Sequence, residues 1–133
     1  ETKFATPGVN IGLFCHTPLV SVSRTIAKKH SMEMLLLGEM VEAIEAKRFG
    51  LINDVFEPEE LHERVMTVAK TISSKSSYIL KLGKETFYKQ LNMSLEEAYE
   101  YASERMIKNL LAEDAKEGID AFLNKRDPKW KNS

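Results

Sequence analysis

The stretch "MEMLLLGEMVEAIEAKRFGLINDVFEPEEL", residues 32–61, decides the fold because it carries helix and strand signals in a fixed order. An apolar helical segment stops at Gly38 and a short alanine-containing helix stops at Gly50, since glycine just after a helix is a common end signal. The segment "LINDVF", residues 51–56, then alternates apolar and polar side chains, which predicts a brief strand. Helical spacing resumes at Pro58.

The segments on either side of this stretch are mainly helical. Residues 3–17 contain proline and glycine and are predicted to be irregular or short-stranded, and a helix is predicted from Pro18, because proline is tolerated in a first turn. Residues 58–72 place apolar side chains on one helical face. A serine-rich break around Lys75 precedes a further helix, residues 78–91. The chain is therefore predicted to be mostly α-helical with little strand.

Two capping signatures mark the last two helices. Ser94 with Glu97 has the spacing of a capping box, in which a serine and a glutamate satisfy each other's backbone N–H groups. Asp114 with Glu117 repeats that spacing, and the final helix is predicted to run to Asp127. The apolar face of the helix after Ser94 is expected to be buried, partly against another subunit, and consists of Leu95, Ala98, Ala102, Met106 and Leu110.

Composition and charge exclude several classes of protein. The chain has 133 residues, of which 43% are hydrophobic and 29% charged, an ordinary balance for a globular domain. A net charge of −1 gives no reason to expect nucleic acid binding, and no apolar run is long enough to span a membrane. The single cysteine excludes an internal disulfide and disfavours a cysteine-based zinc site. Because the chain starts at Glu1 without an initiator methionine, we expect it to be part of a longer protein.

Four stretches together resemble the C-terminal half of the crotonase superfamily, the enoyl-CoA hydratase/isomerase group. Residues 4–13 resemble the family's F-x-x-P-E-x-x-x-G segment, and residues 32–61 its central T-G-x-x-x-x-A-x-E-A-x-x-x-G-L-V run followed by P-x-x-E-L. "LGKETFYKQ", residues 82–90, resembles a later helix, and "EDAKEGIDAFLNKRDPKW", residues 113–130, resembles the closing D-x-x-E-G-x-x-A-F-x-x-K-R-x-P-x-F. Their order and spacing cover nearly the whole chain.

The resemblance implies a fold and an assembly. Residues 1–75 would end a spiral of ββα turns, and residues 76–133 would be helices that form a homotrimer or hexamer; the intact protein would then be α+β. The loop "GLFCHTP", residues 12–18, and residues 82–91 look closest to a mitochondrial branch of the family, which implies a mitochondrial location. The family acts on coenzyme A thioesters, so an acyl-CoA is expected as ligand, with no separate cofactor and no metal.

The resemblance also implies that part of the catalytic machinery is missing. Hydration of an enoyl thioester needs a base and an acid, and family hydratases use two glutamates for these roles. One glutamate and the oxyanion hole belong to segments that would precede this chain. The other follows the proline of F-x-x-P-E, and that position is Gly8 here. Ordinary hydratase activity is therefore not expected, and this chain alone is predicted to be inactive.

Two residues of the "GLFCHTP" loop are candidates for replacement chemistry. Some isomerases of the family use an aspartate eight residues after the missing glutamate, and that position is His16. Histidine can exchange a proton near neutral pH, although a loop histidine is more often solvated or simply hydrogen-bonded. Cys15 would need a nearby cation to become a reactive thiolate, and otherwise is a small packed residue. His30 and His62 lack metal-ligand partners at a useful spacing and are interpreted as solvated.

Two further positions correspond to residues that contact a neighbouring subunit's coenzyme A in the family. They are Met106, for the adenine, and Lys125, for the phosphates. The alternative for Lys125 is that it complements a helix C-terminus. Three functions stay open for the whole protein: an acyl-CoA enzyme that performs isomerisation or thioester hydrolysis, a non-catalytic assembly module, and an RNA-binding homologue. The last has little support, because Lys28 and Lys29 form only a pair.

Overall fold

The computed structural model describes residues 2–133, and these form seven α-helices, one 3-10 helix and one two-stranded sheet. The mostly helical fold agrees with the sequence-based prediction. In chain order the elements are β1 (Lys3–Phe4), the 3-10 helix (Pro7–Ile11), α1 (His16–Thr25), α2 (Lys28–Leu37), β2 (Val41–Glu42), α3 (Ala43–Phe49), α4 (Pro58–Ser73), α5 (Ser77–Gln90), α6 (Leu95–Leu110) and α7 (Glu113–Leu123). The chain divides into two compact units, one ending at Arg64 and the other beginning at Val65.

The core of the first unit is built from side chains of the first two helices, with the small sheet packed against them. Strand β1 pairs antiparallel with β2, with Lys3 opposite Glu42. Helix α2 ends at Gly38 and α3 ends at Gly50, both in the left-handed conformation that glycine adopts without strain, so these two predicted ends are confirmed. The buried cluster and the side chains packed on it are Val22, Ile26, Met34, Phe4, Val41, Phe49 and Leu51.

The strand predicted over residues 51–56 is wrong, because this segment forms bends and irregular backbone. Asp54 provides a local reason: its carboxylate accepts the N–H of Val55 at 2.8 Å and the ammonium of Lys47 at 2.5 Å. An aspartate that bonds its own neighbouring backbone favours a turn over a ladder. Residues 51–56 therefore alternate apolar and polar side chains as a strand does, but they pair with no other strand.

The second unit is a set of packed helices, α5 against α6 and α6 against α7. The predicted capping box is confirmed: the Ser94 hydroxyl accepts from the N–H of Glu97, and the Glu97 carboxylate accepts from the N–H of Ser94. Ser76 caps α5 in the same way, accepting from the N–H of Ile79 at 3.2 Å. Leu82 and Ala121 are among the few apolar side chains that are buried here.

The second capping signature is wrong. Helix α7 begins after Ala112, which makes no side-chain cap, and it ends at Leu123 rather than Asp127. Asp114 instead turns inward and is buried, because its carboxylate accepts hydrogen bonds from residues distant in sequence. The chain after Leu123 leaves the helix and runs as an irregular tail to Ser133.

The apolar face of α6, predicted to be buried partly against another subunit, is largely exposed in the chain by itself. Ala98 and Ala102 are half-buried, but Leu95 is 76% exposed, Met106 55% and Leu110 49%. The apolar face of α4 is exposed as well, for example at Ile72.

Within residues 2–133, no helix is long and apolar enough to cross a membrane. The division at about residue 75 rests on the family resemblance and stays a prediction.

Candidate functional site

The position of the missing acid lies on the 3-10 helix that follows β1. Thr6 anchors the start of this helix, since its buried hydroxyl donates to the carbonyl of Met34 at 2.7 Å. Pro7 occupies the first turn, where its lack of an N–H has no cost. Gly8 follows, and the helix ends at Gly12 in the left-handed conformation. Gly8 is thus held by its neighbours in a defined place.

The space beside Gly8 is filled by the loop that follows. The N–H of Gly8 donates to Sγ of Cys15 at 3.2 Å, and the carbonyl of Gly8 accepts the N–H of Leu13 at 2.9 Å. A methyl group added at Gly8 would lie 2.8 Å from that sulfur and 2.9 Å from the Leu13 carbonyl oxygen. The structure therefore brings Gly8 and Cys15 together, and the groups nearest to position 8 are a thiol and a peptide carbonyl.

His16 opens helix α1 and is exposed. Its Nδ1 lies 2.9 Å from the carbonyl oxygen of Phe14, and its ring meets the Phe14 ring edge-on at 5.4 Å between centroids. These contacts are local and involve Phe14 rather than Gly8. A catalytic role for His16 stays a prediction.

The two coenzyme A candidates lie in different surroundings of the second unit. Met106 lines a groove of about 390 Å³ between α5 and α6, together with Phe87 and Arg105. Lys125 lies in the turn after α7 and is exposed, with a left-handed backbone at φ +52. Its N–H donates to the carbonyl of Phe122 at 3.2 Å. Lys125 does not line the groove that contains Met106.

A larger apolar groove of about 610 Å³ was not foreseen from the sequence. It lies between the start of α5, the end of α6 and α7, and the indole of Trp130 forms part of its wall. Gly118 on α7 makes room for that indole, since a methyl group there would lie 3.3 Å from the ring. Ile119 and Phe122 line the groove and are largely exposed.

The C-terminal tail is fastened by Asp114, which sequence reasoning assigned to a cap. Its carboxylate accepts from the hydroxyl of Ser76 at 2.5 Å and from the N–H groups of Lys131 at 2.6 Å and Asn132 at 2.9 Å. Burial opposes ionisation, but these hydrogen bonds outweigh it and lower the pKa of Asp114. The side chain of Asn132 accepts in turn from the N–H and hydroxyl of Ser77.

A second carboxylate fastens the start of the tail. Glu117 pairs with both terminal nitrogens of Arg126, at 2.6 and 3.0 Å, and accepts the N–H of Lys129 at 2.7 Å. The Arg126 hydrogen bonds and the Lys129 N–H lower the pKa of Glu117 to about 2. Asp120 also pairs with Arg126. We name Ser76, Asp114, Glu117 and Arg126 the tail clamp.

These features sit in a chain whose relatives are known. A family model described as enoyl-CoA hydratase/isomerase matches residues 1–133. The chain belongs to the enoyl-CoA hydratase/isomerase family. The resemblance drawn from the four sequence stretches is thereby confirmed. Residues 2–133 contain no group of three or more His, Cys, Asp or Glu side chains placed to hold a metal ion.

Several relatives of this enoyl-CoA hydratase/isomerase family chain carry the same name. The mouse protein named enoyl-CoA hydratase domain-containing protein 3, mitochondrial, is 50% identical over 130 residues, which cover 98% of this chain and 43% of the mouse protein. The human protein of that name is 48% identical over 130 residues, with the same shares of each chain. The chain therefore spans less than half the length of these relatives.

Solved structures support the fold directly. A crystal structure of human enoyl coenzyme A hydratase domain-containing protein 3 matches with a TM-score of 0.93 and 48% identity, covering 97% of this chain and 51% of that one. An enoyl-CoA hydratase from Mycobacterium smegmatis matches with a TM-score of 0.94 and 40% identity, covering 98% and 51%. The prediction of a crotonase-type C-terminal half is confirmed at the level of the fold.

Proposed function

We propose that this chain is the C-terminal half of a protein that binds acyl-CoA thioesters and does not hydrate them through an acid at position 8. Membership in the enoyl-CoA hydratase/isomerase family supports the thioester as ligand. The surroundings of Gly8 carry the second part: its neighbours are a thiol and a carbonyl oxygen, and neither is a carboxylic acid. A thiol is a much weaker proton donor than a carboxylic acid.

The proposal leaves isomerisation, thioester hydrolysis and binding without turnover as alternatives for the chemistry. His16 is the candidate proton carrier, because it is exposed and histidine is the residue type most often used to exchange protons near neutral pH. Its contact with the Phe14 carbonyl would select the tautomer with the proton on Nδ1 and leave Nε2 as the acceptor. If neither His16 nor another group moves a proton, the protein is a binding module on a crotonase fold.

A homo-oligomer and a mitochondrial location belong to the same proposal. The exposed apolar side chains along α4 and α6, such as Ile72 and Met106, support an assembly in which other copies cover them. Relatives named as mitochondrial proteins support the location.

The test uses the protein at its full natural length. Titration calorimetry with a non-reactive acyl-CoA measures binding, and loss of the conjugated absorbance of a short 2-enoyl-CoA measures hydration. We expect binding with hydration at least about 100-fold below that of an active hydratase, since general acid–base catalysis contributes about 10²–10⁴-fold. Loss of any residual turnover in His16→Ala, with binding unchanged, would assign the proton to His16. Absence of acyl-CoA binding would refute the proposal.

A further inference from the structure

We infer that Gly8 and Cys15 form a coupled pair, in which the sulfur of Cys15, together with the Leu13 carbonyl, closes position 8 to a larger side chain. In this inference position 8 is closed by the protein's own loop. It rests on the proposed function, because it names the residue that determines which chemistry the site cannot perform. It also makes a structural claim that can be measured without any acyl-CoA.

The distances beside Gly8 carry the inference. A Cβ at this position would lie 2.8 Å from Sγ of Cys15 and 2.9 Å from the carbonyl oxygen of Leu13. Cβ atoms in real proteins almost never lie within 3.0 Å of a non-bonded heavy atom, so both contacts are steep overlaps. Any residue other than glycine at position 8 therefore requires a neighbour to move. A glutamate needs more room than a methyl group.

The Leu13 carbonyl has little freedom to move away. The N–H of Leu13 is bonded to the Gly8 carbonyl at 2.9 Å, and Gly12 before it holds a left-handed turn at φ +76. The 3-10 helix is also anchored at Asn10, whose side-chain amide donates to the carbonyl of Gly38 at 3.0 Å. These bonds fix the loop against the helix. The sulfur of Cys15 is the one obstructing atom that a single side-chain substitution removes.

The sulfur also compensates for the missing side chain. It accepts the N–H of Gly8 at 3.2 Å, so a backbone donor in a half-buried place keeps a partner. Glycine at 8 and cysteine at 15 therefore suit each other sterically and by hydrogen bonding. The single substitution Gly8→Glu would place the first side-chain carbon of the glutamate against the sulfur.

The test is a double-mutant cycle on thermal stability in the full-length protein. We expect Gly8→Ala to lower the melting temperature by about 3 °C or more, since overpacking is costly at a tight site. In Gly8→Ala/Cys15→Ala the loss is smaller than the sum of the two single losses, because the sulfur is gone. Cys15→Ser is the matched control: serine keeps a heavy atom beside position 8, so the loss in Gly8→Ala/Cys15→Ser stays close to additive.

Additive losses in both cycles would overturn the inference, and so would a Gly8→Ala variant as stable as the wild type. If Gly8→Ala fails to fold, folding of Gly8→Ala/Cys15→Ala supports the inference, and failure of both overturns the assignment to Cys15. A second readout is hydration of a 2-enoyl-CoA. Gly8→Glu alone should gain none, and a clear gain in that single variant would show that position 8 is open. The melting cycle is independent of thioester binding, so it separates this inference from the proposed function.

Discussion

The tail clamp predicts that two serines with the same local role differ in their importance for stability. Ser76 caps α5 and Ser94 caps α6, and each hydroxyl also donates to a carboxylate. The carboxylate that Ser94 meets, Glu97, is exposed, whereas the one that Ser76 meets, Asp114, is 1% exposed. Substitution of either serine by alanine therefore removes the same two kinds of hydrogen bond, one to a backbone N–H and one to a carboxylate. For Ser94 the carboxylate lies in solvent, and for Ser76 it lies in the interior.

The expected losses follow from that difference in burial. Removal of an N-cap hydroxyl costs about 1 kcal/mol, so Ser94→Ala should lower the free energy of unfolding by about that amount. Ser76→Ala loses the same cap and also leaves a buried carboxylate one hydrogen bond short, which is more costly than the same loss in solvent. We expect its effect to be at least about twofold larger.

The assay is urea unfolding of the full-length protein and the two variants, followed by circular dichroism at one fixed protein concentration. A fixed concentration is needed because assembly shifts apparent stability. The slope of the transition should be unchanged, so that the shift in midpoint reports stability. Equal losses for Ser76→Ala and Ser94→Ala would refute the claim that the buried hydrogen bond to Asp114 stabilises the second unit.

Three further predictions test other parts of the molecule. Folding lowers the pKa of Glu117 from 4.5 to about 2, so its pairing stabilises the fold above the unfolded pKa and this stabilisation is lost as the pH falls toward 2. The difference in melting temperature between wild type and Glu117→Gln should therefore shrink between about pH 5 and pH 3. A difference that stays constant over this range would contradict the prediction. If Lys125 contacts the phosphates of coenzyme A, Lys125→Gln should weaken acyl-CoA binding by about tenfold or less, and this effect should fade in high salt. Titration calorimetry measures the binding, and Lys108→Gln is the control in which the effect should be absent. Leu35→Ala should destabilise the protein by about 2–5 kcal/mol in urea unfolding, since Leu35 is fully buried, and a loss below about 1 kcal/mol would contradict that burial.

The features that the sequence predicted correctly are local ones. The ends of α2 and α3 at Gly38 and Gly50 depend on one residue that tolerates a positive φ, and the capping box at Ser94 depends on a partner three residues away. Such signals are contained in a short window, so they survive whatever the rest of the chain does. The family resemblance supplied the fold because four such windows occur in a fixed order.

The features that the sequence missed depend on partners far away along the chain. Asp114 has the spacing of a cap, but its hydrogen bonds go to Ser76, 38 residues earlier, and to the tail 17 and 18 residues later. The closure beside Gly8 likewise depends on Cys15, seven residues away across a turn. No periodicity or spacing rule reports such contacts, and only the folded backbone brings the groups together.

The clamp gives a physical meaning to the closing motif of the chain. Asp114, Glu117 and Arg126 all use their side chains to hold the tail, so these motif positions are explained by structure without any ligand. Lys125 directly precedes Arg126 and has a left-handed backbone conformation, which residues other than glycine rarely adopt. Since Glu117 holds Arg126 and the N–H of Lys129 on the C-terminal side of Lys125, the direction of the lysine depends on the clamp. If Lys125 contacts coenzyme A, Glu117→Gln should weaken acyl-CoA binding although Glu117 never meets the ligand, and the effect should vanish in a Lys125→Gln background.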